Sequence, residues 1–164
     1  MDEQQTRIEL RPARPEDAGA IAEIWCAGWS DGHRGNVPDE LAAARTEESF
    51  RARAPRRVGD AAVAVVAGEV AGFVMVVGDE VEQVYVAAAH RGGGVAAALL
   101  DEAERRVAAS GHDQAWLAVV PGNARARRFY ERRGWTDEGP FEHAAEGPDG
   151  PITVPCRRYT KQVG

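Results

Sequence analysis

The chain has 164 residues, the size of one domain, and a domain of that length buries about 70% of the surface its unfolded form exposes. With 44% hydrophobic and 28% charged residues it reads as globular. Its net charge of −6 argues against nucleic acid or an anionic membrane as the main partner, since both select a basic face.

Residues 1–164 are accordingly read as a single domain, with a local basic patch where arginines cluster between Arg125 and Arg133. The start, Met1-Asp2-Glu3-Gln4-Gln5, is polar where a signal peptide would be apolar, and no run is long enough to span a bilayer. The expected compartment is the cytoplasm. Cys26 and Cys156 lack metal-ligand spacing and are expected to be buried free thiols; no metal is expected. Lysine occurs once, at Lys161, against nineteen arginines. A P-loop needs a lysine directly after its glycine turn, so that nucleotide site is excluded, and a Schiff-base mechanism would depend on Lys161 alone.

In chain order, the residues predict a strand at Ile8–Arg11 ended by Pro12, then a helix opened by Pro15 with Glu16 and Asp17 suited to its first turn. Ala18, Ile21, Trp25 and Trp29 recur at helical spacing, and residues 30–38 have loop character. Short helical pieces follow at 38–44 and 46–54. Strands are predicted at 61–67, 70–77 and 81–86, joined by tight turns at Gly68-Glu69 and Gly78-Asp79-Glu80, hence antiparallel. A helix runs from about Gly94 to Ala109, with Leu99, Leu100, Ala103 and Val107 on one face and Gly111 as its stop.

The strand 115–120 follows that helix and is expected parallel to 81–86. Asn123 can cap a helix over 124–133, which Gly134 ends. A strand starts at Trp135, residues 144–151 form a Gly/Pro-rich loop, and a last strand covers 152–161, weakened by Pro155. The order β-α-α-β-β-β-α-β-α-β-β describes an α/β fold with a single mixed, mostly antiparallel sheet and helices on both faces, in three layers. Ligands in such sheets bind at the C-terminal ends of parallel strands.

The run Arg91-Gly92-Gly93-Gly94-Val95-Ala96 lies between a strand and a helix. Bare N–H groups at the positive end of a helix dipole hold phosphate. Gly92, Gly94 and Ala97 also satisfy a dinucleotide-type G-x-G-x-x-A, but the next strand ends Val119-Val120-Pro121-Gly122 without the acid that would hold a ribose, so a dinucleotide cofactor is disfavoured. Farther on stands Asn123-Ala124-Arg125-Ala126-Arg127-Arg128-Phe129-Tyr130, closing with Gly134-Trp135.

Together these two segments resemble the acyl-CoA loop, (Arg/Gln)-x-x-Gly-x-(Gly/Ala), and the second motif of the GCN5-related N-acetyltransferases, with Trp135 where phenylalanine is commoner. The resemblance covers nearly the whole chain and implies an acetyl-CoA-dependent N-acetyltransferase acting on a small-molecule or peptide amine by direct attack in a ternary complex. The backbone of Gly92, Gly93, Gly94, Val95 and Ala96 would hold the coenzyme A pyrophosphate. The edge at Val84 and Val86 would pair with the pantetheine arm, in a gap opened where strand 115–119 splays away. Tyr130 would protonate the departing thiolate, and Asn123 would contact the cofactor or fix its loop. Arg91, Arg125 and Arg128 are candidates for cofactor phosphates.

Glu82 is expected on the strand face of Val84 and Val86, where a carboxylate serves as general base, often through water, in some members. Trp29, Asp31 and His33 would line one wall of the acceptor site; His143, Glu142 and Glu146 lie in or near the segment that would form the other. The resemblance leaves the acceptor unnamed and leaves a homodimer open, with the last strand as the place of exchange. A non-catalytic acyl-CoA-binding or sensing module of the same fold is the alternative.

Overall fold

The computed structural model describes residues 7–33 and 35–164; the polar start at Met1–Gln5 and Arg34 lie outside the described residues. Strand β1 (Ile8–Pro12) leads through a 3-10 turn at Pro15–Asp17 into helix α1 (Ala18–His33). Asp17 is buried at this entry. Its carboxylate accepts from Arg11 Nη1 at 2.7 Å and from the Arg14 amide at 2.7 Å, tying the helix start to β1. Helices α2 (Asp39–Ala44) and α3 (Glu47–Arg57) follow, the latter capped by the Thr46 hydroxyl. Residues 30–33, expected to be loop, instead continue α1. The apolar repeat carries on through Trp29, which is buried, and the packing of that ring holds the last turn.

Strands β2 (Ala61–Val66), β3 (Glu69–Val77) and β4 (Glu80–Val86) form an antiparallel meander with β1. Helix α4 (Val95–Ala109) crosses to β5 (Gln114–Val119), which lies parallel to β4; helix α5 (Ala124–Arg132), β6 (Thr136–Ala145) and β7 (Ile152–Gln162) complete the chain. The sheet order is β1-β2-β3-β4-β5-β7-β6, so the fold is the mixed, mostly antiparallel sheet expected. The last strand, expected to offer an exchange edge, is interior. β7 pairs with β5 on one side and β6 on the other, and β6 is the edge.

Two cores flank the sheet. Ile21, Trp25, Trp29, Leu41 and Phe50 of α1–α3 pack on the face of Val63, Phe73 and Met75. On the other face, Leu99, Leu100, Ala103 and Val107 of α4 pack on Ala62, Val74 and Leu117, with Phe129 and Tyr130 of α5 against the same cluster. Cys26 and Cys156 are both free, Cys156 being buried. No helix among the described residues is long and apolar enough to cross a membrane.

Candidate active site

β4 and β5 touch through one register pair, Glu80↔Trp116, where the Trp116 amide donates to the Asp79 carbonyl at 3.0 Å. Beyond it the strands diverge, because β5 is drawn into register with β7 from Gln114↔Gln162 to Val119↔Arg157. The fork opens a cleft of about 420 Å³. The Ala87 amide donates to Ala71 of β3 at 2.8 Å. Because backbone groups alternate along a strand, the amides of Val86 and Val84 then point the other way, into the fork. This free, in-sheet edge is the site expected for the pantetheine arm.

The glycine run ends at the top of the fork. Gly92 (φ +82°) and Gly94 (φ +84°) adopt left-handed backbone that L side chains avoid, and all three glycines are exposed. Gly94 is the N-cap of α4 and offers no side chain to the first turn. Its carbonyl accepts from Ala98, so the amides of Val95, Ala96 and Ala97 precede the first intrahelical bond of α4 and are open to an anion. A pyrophosphate therefore fits this loop.

The second motif forms the opposite wall. Asn123 Oδ1 accepts from the Ala126 amide at 3.2 Å and so starts α5, while its amide nitrogen lies against Gly32 of α1. Helix α5 is pinned to β7: Tyr159 Oη accepts from Arg127 Nε at 3.1 Å and donates to Glu131 at 2.9 Å. The sole lysine, Lys161, donates to the Arg133 carbonyl at 2.8 Å and bridges to Glu104 of α4, a structural post. Held this way, Tyr130 lines the cleft, its ring packed near Phe129, Trp135 and Tyr159. Burial pushes its phenol up to about 12, so it is a protonated donor throughout the neutral range.

Glu82 departs from expectation. The register slips between Met75 and Val76, leaving Glu82 as the extra residue of a β-bulge. The bulge turns it away from the face of Val84 and Val86 towards α3, where its carboxylate accepts from Arg57 Nη1 at 2.7 Å; it still lines the cleft. Arg57 also reaches Asp60 at 3.2 Å.

Trp29 and His33 line the cleft, their rings stacked 5.0 Å apart. Burial lowers the His33 pKa and favours the neutral ring, which contacts the Trp29 carbonyl through Nδ1 at 3.1 Å. Asp31 does not join them. It faces the glycine loop and bridges to Arg91 at 2.8 Å. Arg128 is exposed on α5 and outside the cleft lining.

Several lining residues carry no sequence motif. Tyr85 packs on α1 so closely that a Cβ on Gly28 would lie 2.3 Å from its ring, and burial raises its pKa. Arg45 and Arg53 enter from α2 and α3, and His143 lies 3.6 Å from Glu80. The close Gly28 is the one sequence signal that could have marked Tyr85, as a helix position where only a bare backbone leaves room.

Residues 17–135 match the model of the Acetyltransferase (GNAT) family. Comparison with curated proteins gave no match. Solved structures give many. One is a GCN5-related N-acetyltransferase (aminotransferase, class II) from Rhodopseudomonas palustris, at 25% identity and TM-score 0.72, covering 94% of each chain. PaiA N-acetyltransferase from Thermoplasma acidophilum, solved with coenzyme A, shares 18% identity at TM-score 0.65 over 95% of this chain and 99% of that one. YncA from Salmonella typhimurium, a putative acetyltransferase solved with acetyl-CoA, shares 20% at TM-score 0.69 over 96% and 95%.

Proposed function

The chain belongs to the acetyltransferase (GNAT) family, and from that premise we propose that it moves an acetyl group from acetyl-CoA to an amine by direct attack in a ternary complex. The observation that carries the reading is the fork between β4 and β5, with a phosphate-ready glycine loop at one end and Tyr130 in its wall. Acetyl-CoA supplies the thioester carbonyl that the amine attacks.

The residues divide the work. The amides of residues 92–96 hold the pyrophosphate, and the free edge at Val84 and Val86 holds the pantetheine amides as a neighbouring strand would. The Val86 amide is a donor for charge developing on the carbonyl oxygen. Tyr130 donates a proton or hydrogen bond to the departing sulfur. Glu82, held by Arg57 in the wall of the cleft, accepts the amine proton through water. Trp29 and His33 wall the acceptor, Asn123 keeps α5 against α1, and Arg91, bridged by Asp31, steadies the loop.

The first test is calorimetric titration with acetyl-CoA, using NAD and ATP as controls. Selective, saturable binding of acetyl-CoA is expected; its absence would overturn the glycine-loop reading. Release of free coenzyme A thiol only when an amine is present then separates transfer from mere binding.

A further inference from the structure

The part of the cleft lined by Arg45 and Arg53 carries positive charge that the protein neutralises only in part. Arg45, the C-cap residue of α2, is 7% exposed, and among the described residues its guanidinium has no hydrogen bond or ion pair. Arg53 of α3 stands beside it. Its Nε is buried without a hydrogen-bond partner, and the nearest carboxylate oxygen, on Glu146, is 3.6 Å away. Glu146 is itself more than half exposed and shared with Arg56 at 4.0 Å. The Arg53 guanidinium lies over the Trp25 ring at 4.4 Å, which fixes its plane. Burial and the charge of Arg45 lower the Arg53 pKa to about 10, so it stays a cation at neutral pH.

A buried cation without a partner is costly, and two sharing one distant carboxylate are more so. Arg57, in the same wall, shows the usual remedy, bonded to both Glu82 and Asp60. A donor fork with an open bond matches a carboxylate. On β4, at the fork, the carboxylates have partners: Glu82 is bonded to Arg57, and Glu80 lies 3.6 Å from His143. Arg45 is thus the arginine of the cleft lining that has no side-chain partner among the described residues.

We propose that the acceptor is an amine that itself carries a carboxylate, an amino acid or close analogue, with the anion held by Arg45 and Arg53 and the amine directed to the fork. This rests on the acetyltransferase reading. It divides the possible amines: polyamines and lysine side chains of proteins lack the anion and meet Arg45, which has no partner, and Arg53, which has only Glu146.

The experiment measures thiol release with the twenty amino acids, their carboxamides and the matching decarboxylated amines. The expected result is acetylation of one or more amino acids, with kcat/KM falling at least about tenfold for the paired carboxamide. Arg45→Met should raise KM for the amino acid at least about tenfold, leave KM for acetyl-CoA unchanged, and lower the carboxamide's kcat/KM by a much smaller factor than the acid's. Arg45→Lys should restore part of the loss. Because Arg45 has no partner to lose, Arg45→Met should keep or raise the thermal midpoint, so misfolding is separately visible. Equal use of acids and carboxamides, or better use of decarboxylated amines, overturns the anion site while the acetyltransferase reading stands. Acetyl-CoA binding with no transfer to any of these amines overturns the amino-acid proposal, and the acetyltransferase reading falls with it only if polyamines and peptide amines also release no thiol.

Discussion

Replacing Tyr130 by phenylalanine removes one oxygen from a ring that keeps its packing against Phe129, Trp135 and Tyr159. The effect on rate depends on which kind of acid the phenol is. Its pKa near 12 stands well above that of an ordinary thiol, about 8.5. Complete transfer of its proton to a thiolate would be uphill by roughly 3 to 4 pKa units, about 5 kcal/mol. A hydrogen bond from the neutral phenol to the developing sulfur anion carries no such penalty, and such a bond is worth about 1.5–3 kcal/mol. Tyr130→Phe should therefore lower kcat by roughly 10- to 150-fold. KM and Kd for acetyl-CoA should stay within about twofold, since the bond is made to the transition state. Thiol release in the steady state, with calorimetric binding beside it, reads both. An unchanged kcat would remove Tyr130 from the chemistry. A loss beyond about 10⁴-fold would refute the hydrogen-bond argument and require full proton transfer. Wild type should also show no alkaline fall in rate from Tyr130 below about pH 10.

Two further outcomes follow from the geometry. At Gly94 a Cβ would approach only Ile8 Cδ1, at 4.0 Å, so Gly94→Ala acts through its left-handed φ rather than through a clash. The expected cost is about 1–2 kcal/mol of stability in a denaturant titration, together with weaker acetyl-CoA binding as the α4 amides turn aside; unchanged binding would take the loop out of the cofactor site. His33 has its pKa lowered by burial, so the unfolded chain binds the extra proton more readily than the folded one. Its contribution is complete above about pH 6.5 and is lost as pH falls from there towards the lower folded value. The thermal midpoint of wild type should drop more between pH 7 and 5 than that of His33→Asn, and parallel curves would contradict the assignment.

How far the site was readable depends on how local each feature is. The glycine loop, the α4 stripe and the Asn123 cap are written in consecutive residues, and each took the expected form. The fork followed from a strand–helix–strand unit and the family resemblance. The face expected for Glu82 was wrong because period-2 reasoning assumes an unbroken register, and a single bulged residue reverses the face. Nothing in Val81–Val86 announces that bulge; it arises from pairing with β3. Asp31 failed because the α1 helix runs a turn farther than its loop-like composition suggests, which carries the carboxylate round to Arg91. Arg45 and Arg53 gave no signal. In sequence Arg45 falls between two helical pieces and Arg53 looks like an ordinary helix-surface arginine, and only the packing of α2 and α3 over the sheet brings both into the cleft, Arg45 buried and Arg53 half-buried.

The placement of β7 between β5 and β6 bears on how the molecule is made. Strands β1 to β4 pair with their immediate neighbours in sequence, so that half of the sheet can zip as it leaves the ribosome. The far wall of the cleft cannot. β5 meets β4 at one pair only, and its lasting partner begins at Ile152, more than thirty residues after β5 ends. Until that segment slides in, β5 and β6 have no common neighbour, and Tyr159 and Lys161 are not yet there to pin α5. The working cavity thus waits on the final stretch of the chain, and a nascent protein stalled before residue 152 carries both sequence motifs without the strand that sets them in place.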